Sequence, residues 1–297
     1  MIITGKRILY LLLAAGVLLA PFPAFAQENR IGVLANRGAA QAVKEWKATA
    51  DYLGARTGKP FTIVPLSYDQ VPVWTKEGRI EFLYANPAIY AEMNRLHGIQ
   101  AIATVVNQVN NQPIDQMAGA ILVRNDSPIK TIHDFKGKVF ATASLSAFGG
   151  WLMACRVFVE NGIDPSKDFK SLRELKQHDN VIYAVLNGVA AGGSVRSGSL
   201  EKMVREGKIK MEDFRIINRV NDPFPLLHST RLYPEYPMAA CSHVPAGLRQ
   251  EVTQALVSAP PGDRCLVDAN ISGWKPPLDY TPVIELLTFL KHGPFGK

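Results

Sequence analysis

The segment RIGVLANRG, residues 30–38, begins with an apolar run and ends in a polar turn. It predicts a buried strand, Arg30–Ala35, followed by a loop. Beyond the loop, apolar residues recur at spacings of four and three, which is the repeat of one face of a helix. The residues expected on that face are Ala39, Val43, Trp46, Ala50 and Leu53. The whole segment therefore predicts a strand–loop–helix unit.

The same unit repeats along the next fifty residues. Strands are predicted at 61–66 and 80–85, with a short helix between them. Asn86 and Pro87 have the pattern of a helix start, with asparagine as N-cap and proline in the first turn. Strands that alternate with helices predict a parallel sheet with crossover helices, and hence an α/β fold.

Two polar or proline-rich breaks, at 124–128 and 223–225, separate this series from a second α/β series. They predict two lobes joined by a hinge, with lobe 1 formed by 27–123 and 230–297 and lobe 2 by 124–229. The part after the second break is expected to be mostly helical. Ligands of open α/β sheets bind beyond the carboxyl ends of strands, so the two lobes can face each other across a cleft.

The N-terminus has the pattern of a cleaved secretory signal peptide, residues 1–26. Lys6 and Arg7 precede an apolar run of thirteen residues, Ile8–Ala20, and the run ends before a small-residue cleavage pattern at 24–26. This run is shorter than the roughly 20 residues that span a bilayer. An uncleaved N-terminal anchor is the alternative. We expect an exported, periplasmic protein.

Composition excludes several classes of function. The formal net charge of +7 is spread along 297 residues without a basic block, which disfavours nucleic acid as a partner. No motif predicts a metal site or a cofactor. The three cysteines leave open one disulfide with a free thiol, or three buried thiols. They are Cys155, Cys241 and Cys265.

Several short motifs, in their order and spacing, resemble the phosphonate-type periplasmic solute-binding family. Within it, the chain is most similar to the periplasmic sensor domain of tetrathionate-sensing histidine kinases. The motifs are residues 31–38, 79–82, 86–90, 147–150, 187–196, 227–235, 272–274 and 279–282. The resemblance extends over nearly the whole mature chain. The resemblance implies the two-lobed type 2 periplasmic-binding fold, a Venus flytrap that closes on its ligand without catalysis.

Arg37 and Arg196 are the main candidates for binding a small anion. Each follows or ends a predicted strand, one in each lobe, and a guanidinium matches the oxygens of a sulfonate, phosphonate or carboxylate. A doubly charged ligand would then draw the lobes together. Arg196 has an alternative, an ion pair with Glu201 or with another buried acid.

The turn at 144–150 is the second candidate, because backbone N–H groups at a helix N-terminus bind oxyanions. Its residues Ser146, Phe148, Gly149 and Gly150 lack two of the hydroxyls that the family carries here. The alternative is a packing turn. Ala191 stands where the family often has an acid, which disfavours an aminoalkyl ligand.

Four further residues are candidates for lining the cleft. Tyr68 can donate its hydroxyl, and Asn86 and Tyr90 lie where a helix begins, although Asn86 is first of all a helix cap. His228, near the second break, is a hinge, core or ligand residue. We expect Trp46 to be a core residue and His178 to cap the next helix rather than bind an oxyanion.

The expected function is capture of a small oxyanion, such as tetrathionate, phosphate or a phosphonate. The partners would be an ABC permease in uptake or a separate histidine kinase in sensing. Two alternatives are an exported enzyme and an accessory protein of an envelope complex. The enzyme is disfavoured because no hydrolase or metalloprotease motif is present.

Overall fold

The computed structural model describes residues 28–110 and 112–296. The predicted signal peptide, 1–26, lies outside them. The strands are β1 (Asn29–Leu34), β2 (Phe61–Leu66), β3 (Phe82–Tyr84), β4 (Gln100–Val109), β5 (Gln112–Ile114), β6 (Gln116–Met117), β7 (Gly119–Arg124), β8 (Val139–Thr142), β9 (Ser171–Glu174), β10 (Gly192–Arg196), β11 (Phe214–Ile217), β12 (Tyr233–Pro234), β13 (Pro237–Ala240) and β14 (Ile271–Lys275).

Helices cover both sheets. They are α1 (Ala39–Thr57), α2 (Gln70–Lys76), α3 (Pro87–His97), α4 (Met153–Glu160), α5 (Pro165–Asp168), α6 (His178–Leu186), α7 (Ser199–Arg205), α8 (Ala246–Val257), α9 (Arg264–Val267) and α10 (Thr281–Phe289). A π-helical turn, Phe148–Leu152, leads into α4, and short 3-10 turns lie at Ile132–Phe135, Met211–Asp213 and Gly293–Phe295.

The strands form two main sheets, one in each lobe. The lobe 1 sheet has the order β14-β4-β13-β3-β1-β2, with β5 paired to β4. The lobe 2 sheet has the order β11-β7-β10-β8-β9. The predicted two-lobed α/β fold is therefore confirmed. The sheets are mixed: β1, β2 and β3 are parallel, as expected, whereas β4, β13 and β14 run antiparallel to their neighbours.

The last quarter of the chain differs from the expected helical segment. β13 inserts between β3 and β4, and β14 forms an edge of the lobe 1 sheet. The four residues of β13 are all buried. Their strand conformation depends on neighbours distant in sequence, since Met238 pairs with Tyr84 and Pro237 with Thr104.

The chain passes between the lobes at a small two-stranded hinge, where Tyr233 of β12 lies opposite Met117 of β6. The first crossing falls at about 115–119, since β7 belongs to the lobe 2 sheet. Residues 119–123, assigned to lobe 1 from the polar break at 124, therefore lie in lobe 2. The break at 124–128 is a surface loop that follows the strand.

Local signals explain the elements nearest the cleft. α1 ends where Gly58 adopts a left-handed conformation, φ 67°. It buries Ala42, Trp46 and Leu53, whereas Val43, expected on the buried face, is exposed. α3 begins as predicted, because the side-chain oxygen of Asn86 accepts a hydrogen bond from Ile89 N at 3.1 Å.

Candidate ligand site in the interlobe cleft

A cavity of about 220 Å³ lies between the lobes, beside the hinge. Both sheets contribute to its wall, together with Tyr236, which lies just after β12. Its lining includes Asn36, Arg37, Trp46, Tyr84 and Asn107 from lobe 1, Tyr236 from the hinge, and His178, Asp179, Arg196, Ser197 and Lys202 from lobe 2. Arg37 and Arg196, predicted to bind the ligand, therefore reach the same cavity.

One wall of the cavity is aromatic. The ring of Tyr84 lies 4.3 Å from that of Trp46 and 5.5 Å from that of Tyr236, measured between centroids. Burial raises the pKa of Tyr236 to about 12, so its hydroxyl is neutral and can donate a hydrogen bond at physiological pH. Trp46, expected in the core, is buried and also lines the cavity.

Arg196 lies at the end of β10 and is ion-paired with Glu235 of the hinge. Glu235 is almost wholly buried, and its carbonyl oxygen accepts a hydrogen bond from the hydroxyl of Tyr280. Burial opposes the charge on Arg196, but the carboxylate of Glu235 together with the hydroxyls of Tyr236 and Tyr84 outweighs burial and raises the pKa of the guanidinium. The sequence alternative of a buried acidic partner is thus correct, although the partner is Glu235 and not Glu201.

Three nitrogen atoms of cavity-lining residues are buried without a partner in the described part of the chain, and one of them is Nδ2 of Asn107. The other two are Nε of Arg196 and Nδ1 of His178. Leaving a buried polar group unpaired costs about 1–3 kcal/mol, so such atoms call for an explanation. Burial, followed by the charge of Arg196, lowers the pKa of His178 to about 4. His178 is the first residue of α6, not its cap, and its imidazole is neutral near pH 7.

Arg37 joins the two lobes. Its guanidinium donates hydrogen bonds to Asp179 at 2.8 Å and to Glu206 at 2.9 and 3.0 Å, both on lobe 2. The hydrogen bond from Arg37 lowers the pKa of Glu206 to about 2. Arg37 therefore connects the two lobes across the cleft, and we call its ion pairs with Asp179 and Glu206 the latch. The sequence had instead suggested a guanidinium without a protein partner, free to bind the ligand.

The turn predicted to bind the anion through its backbone instead packs behind the cavity. Phe148 is buried with its ring 5.2 Å from that of Tyr233, and the carbonyl of Ser146 accepts a hydrogen bond from Asn86 at 3.3 Å. A Cβ atom on Gly149 would lie 3.1 Å from the Cβ of Arg196, and one on Gly150 would lie 2.6 Å from Cε1 of His178. The two glycines thus make room for Arg196 and His178.

Gly150→Ala should consequently disturb His178. The added methyl group meets the imidazole ring at 2.6 Å, so we expect a loss of about 1–3 kcal/mol in unfolding free energy, the usual effect of overpacking. Gly247→Ala in α8 is the matched control, since no atom lies within 4 Å of its new methyl group. Urea unfolding should show Gly247→Ala as neutral or slightly stabilising. Equal effects of the two substitutions would contradict the packing role of Gly150.

The other candidates lie outside the cavity lining. Tyr68 donates to Asn36 Oδ1 at 3.2 Å, and Asn36 donates onward to the hydroxyl of Tyr236. The hydroxyl of Tyr90 accepts from Ala101 N, within lobe 1. His228 is buried, with its ring nitrogens 2.8 Å from Thr230 O and 3.1 Å from Asp222 Oδ1. Tyr68 thus contacts the cavity-lining Tyr236 only through Asn36. His228 connects Asp222 and Thr230 and so stabilises the segment before the hinge.

His178, Tyr84, Tyr236 and Glu235 are the site residues that sequence reasoning did not select. The sequence carries one signal for two of them, since Glu235 ends the motif at 227–235 and Tyr236 follows it directly. Tyr84 lies inside a predicted strand, one residue before its end, close to the strand-end positions that singled out Arg37 and Arg196. His178 gave no comparable signal.

Three further observations concern residues 28–110 and 112–296 as a whole. Cys155, Cys241 and Cys265 are free thiols, and burial raises the pKa of each to about 12. This agrees with the alternative of three thiols. No group of three or more metal-binding side chains occurs in these ranges. No helix within them has the length and apolar character needed to cross a membrane.

Two sheet-based lobes, a double-stranded hinge and a lined cleft between them define a solute-binding protein of the flytrap type. The chain belongs to the phosphonate-binding family of periplasmic substrate-binding proteins of ABC transporters, since the model of that family matches residues 31–281. The resemblance stated from the sequence motifs is thereby confirmed.

The chain is also similar to the tetrathionate sensor histidine kinase TtrS of Salmonella typhimurium, with 31% identity over 258 residues. This match covers 86% of the chain and 44% of the kinase, so the chain spans less than half of that relative. Two solved structures share the fold. One is a binding-protein component of an ABC phosphonate transporter from Pseudomonas aeruginosa, with a TM-score of 0.73, 16% identity, and coverage of 88% of this chain and 86% of that chain. The other is PhnD1 from Prochlorococcus marinus with methylphosphonate, with a TM-score of 0.67, 14% identity, and coverage of 89% of this chain and 98% of that chain.

Proposed function

We propose that the chain captures a small oxyanion in the interlobe cleft and does not transform it. The observation that carries this proposal is the partly buried guanidinium of Arg196 at the cavity, whose buried Nε has no partner in the described residues. A negatively charged oxygen is the natural acceptor for such a donor, and a charge-assisted hydrogen bond is worth about 1.5–3 kcal/mol.

The size and the walls of the cavity narrow the ligand class. A volume of about 220 Å³ accommodates an ion of several heavy atoms rather than a nucleotide. The rings of Trp46, Tyr84 and Tyr236 favour a ligand with a polarisable, weakly hydrated part beside its charged oxygens. Sulfur oxyanions have this character, and the similarity to the tetrathionate sensor supports tetrathionate as the first candidate. Phosphate and alkylphosphonates are the second class to test.

The captured ligand would serve either uptake or sensing. The family supplies ligands to ABC permeases, whereas the relative from Salmonella typhimurium is a sensor kinase. We infer export to the periplasm through the predicted signal peptide, and there either uptake by a permease or sensing with a separate histidine kinase. An exported enzyme is the competing function.

A thermal-shift screen tests this proposal. The panel contains tetrathionate, thiosulfate, sulfate, phosphate, phosphite and methylphosphonate, each incubated with the mature protein. A ligand present at a hundred times its Kd stabilises the folded state by about 2.7 kcal/mol. For a chain of this size, that raises the Tm by roughly 5–10 °C. No rise with any member of the panel would contradict the proposal, and turnover of a bound ligand would favour the enzyme.

A further inference from the structure

A second cavity, of about 510 Å³, lies away from the cleft, where the end of α10 in lobe 1 meets α4, α5 and β9 of lobe 2. Among residues 28–110 and 112–296, none lines both this cavity and the cleft. We propose that the second cavity binds a free amphiphilic anion, a molecule with an aliphatic chain and a carboxylate or sulfonate head. This inference is independent of the oxyanion proposed for the cleft.

The interior of the second cavity is apolar. Two of its lining residues, Trp151 and Phe169, are buried aromatic side chains. The ring of Phe169 is fixed by its neighbours, since its centroid lies 5.2 Å from that of Phe140 and 4.9 Å from that of Phe158. A cavity of roughly 300–1,000 Å³ with apolar and aromatic walls and a few polar groups is typical of a small-molecule site. The interior therefore suits an aliphatic chain.

The edge of the second cavity exposes three large apolar side chains to solvent. Leu145, Val159 and Phe289 are 42%, 39% and 45% exposed, and no other exposed large apolar residue of the described chain lines either cavity. The guanidinium of Arg156 lies 5.2 Å from the centre of the Phe289 ring and holds that ring against lobe 2. Single exposed apolar residues are ordinary, whereas a cluster of them marks a binding surface. A bound aliphatic chain would shield all three from water.

The charged groups that line the second cavity are positive in excess. Lys170 of lobe 2 and Lys291 of lobe 1 both line it, and neither forms an ion pair with another residue of the described ranges. The lining contains one carboxylate, Asp164, which is already bound by Lys167 at 2.9 Å and by the hydroxyl of Ser166 at 2.6 Å. Two lysines without a carboxylate partner favour a negatively charged head group. The charges therefore select an anion among the amphiphiles that fit the apolar interior.

Lys291 stands at a position where a helix usually has glycine. Its φ is 50°, in the left-handed region that a Cβ atom disfavours. The helix α10 ends there in a Schellman motif, because Lys291 N donates to Thr288 O at 3.0 Å and His292 N donates to Leu287 O at 2.9 Å. The backbone of this motif would be satisfied better by glycine than by lysine. A role of the Lys291 side chain at the cavity accounts for the lysine.

Calorimetric titration of the mature protein with decanoate, well below the concentration at which it forms micelles, tests the site. Decyltrimethylammonium has the same chain with a cationic head, and acetate has the same head without the chain. We expect one decanoate to bind per chain and neither of the other two to bind measurably. No binding of decanoate, or equal binding of decyltrimethylammonium, overturns the inference. Binding to phosphatidylglycerol vesicles but not to free decanoate also overturns it, because the occupant would then be a membrane surface.

Lys291→Gly locates the head group. The substitution relieves the left-handed backbone and removes a cation, so the Tm without ligand should rise while the Kd for decanoate rises about two- to fivefold, the effect of a partly exposed ion pair. Lys176→Gly is the matched control, a second exposed lysine with a left-handed backbone, φ 69°, that lines neither cavity. It should raise the Tm and leave the Kd unchanged. An unchanged Kd in Lys291→Gly, or the same change in both variants, contradicts the assigned site.

Phe289→Ala locates the chain. The ring is partly exposed, so the protein should stay folded, and loss of the ring should weaken decanoate binding about tenfold. Leu96→Ala is the matched control, since it removes an exposed apolar side chain of α3 that lines neither cavity, and it should bind decanoate as the unaltered protein does. Decanoate binding that is unaffected by Phe289→Ala would place the ligand elsewhere, for example in the cleft. That result would overturn the inference and leave the proposed function standing.

Discussion

Arg196→Ala should abolish ligand binding and lower the unfolding free energy by about 3–5 kcal/mol, the usual effect of breaking a buried ion pair. The substitution leaves the carboxylate of Glu235 at the hinge almost fully buried with its cationic partner gone. It also removes the guanidinium that faces the aromatic wall, 5.6 Å from the centre of the Tyr236 ring. Urea unfolding measures the first effect, and calorimetric titration with tetrathionate measures the second.

A double variant separates these two effects. Arg196→Met with Glu235→Leu removes both charges together, and replacing a buried ion pair with apolar residues is often neutral or stabilising. We expect the unfolding free energy to return to within about 1–2 kcal/mol of the original value, while binding stays absent. Binding that recovers in the double variant would show that Arg196 holds the hinge together and does not contact the ligand.

The fold was predictable wherever the signal lies within one short segment. The strand–loop–helix unit at the start and the cap formed by Asn86 depend on neighbours within a few residues. The strand at 237–240 was missed because proline and alanine are poor strand formers. Its conformation depends on pairing with β3 and β4, which lie more than a hundred residues earlier.

The two arginines of the site could be predicted from the sequence, but the carboxylates that pair with them could not. Arg37 and Arg196 were found because the carboxyl ends of strands place side chains at the cleft. Their carboxylates are distant in sequence: Glu235 lies 39 residues from Arg196, and Asp179 lies 142 residues from Arg37. A single sequence carries no signal for such pairs, so the carboxylates that pair with Arg37 were not foreseen, and for Arg196 only an unspecified buried acid was left open.

The glycine turn shows how one pattern supports two outcomes. Gly149 and Gly150 at the start of a helix are suited both to a ligand that approaches the backbone and to a side chain that packs there. In the structure, Arg196 fills the space beside Gly149 and His178 fills the space beside Gly150. Both lie at distances that leave no space for a methyl group. Which outcome holds depends on the strand and helix that pack on the turn, and these lie more than twenty residues further along the chain.

Arg37→Ala should open the cleft and weaken ligand binding. Arg37 is the lobe 1 partner of Asp179 and Glu206, and the side chains of all three are less than a third exposed. Two such pairs contribute about 1–2 kcal/mol together, which is a factor of roughly 5 to 30 in the balance between closed and open forms. A ligand that needs the closed form should lose affinity by that factor.

Small-angle scattering of the ligand-free protein measures the opening as a larger radius of gyration. Because salt screens charges that are partly exposed, about 1 M salt should open the unaltered protein in the same direction. The pKa of Glu206 is lowered from 4.5 in the unfolded chain to about 2 in the folded protein. The stability that its ion pair with Arg37 contributes is therefore present above pH 4.5 and is lost as the pH falls from there towards about 2.

Arg264→Ala is the matched control, since it removes an ion pair with Asp268 that lies within lobe 1 and does not reach the cleft. It should change neither the scattering nor the Kd. If Arg37→Ala abolishes binding while the radius of gyration stays the same, then Arg37 contacts the ligand directly, as the sequence suggested, and the latch is wrong. If the radius of gyration grows and the Kd rises by the factor expected for the closed–open balance, then the ion pairs of Arg37 stabilise the closed form to which the ligand binds.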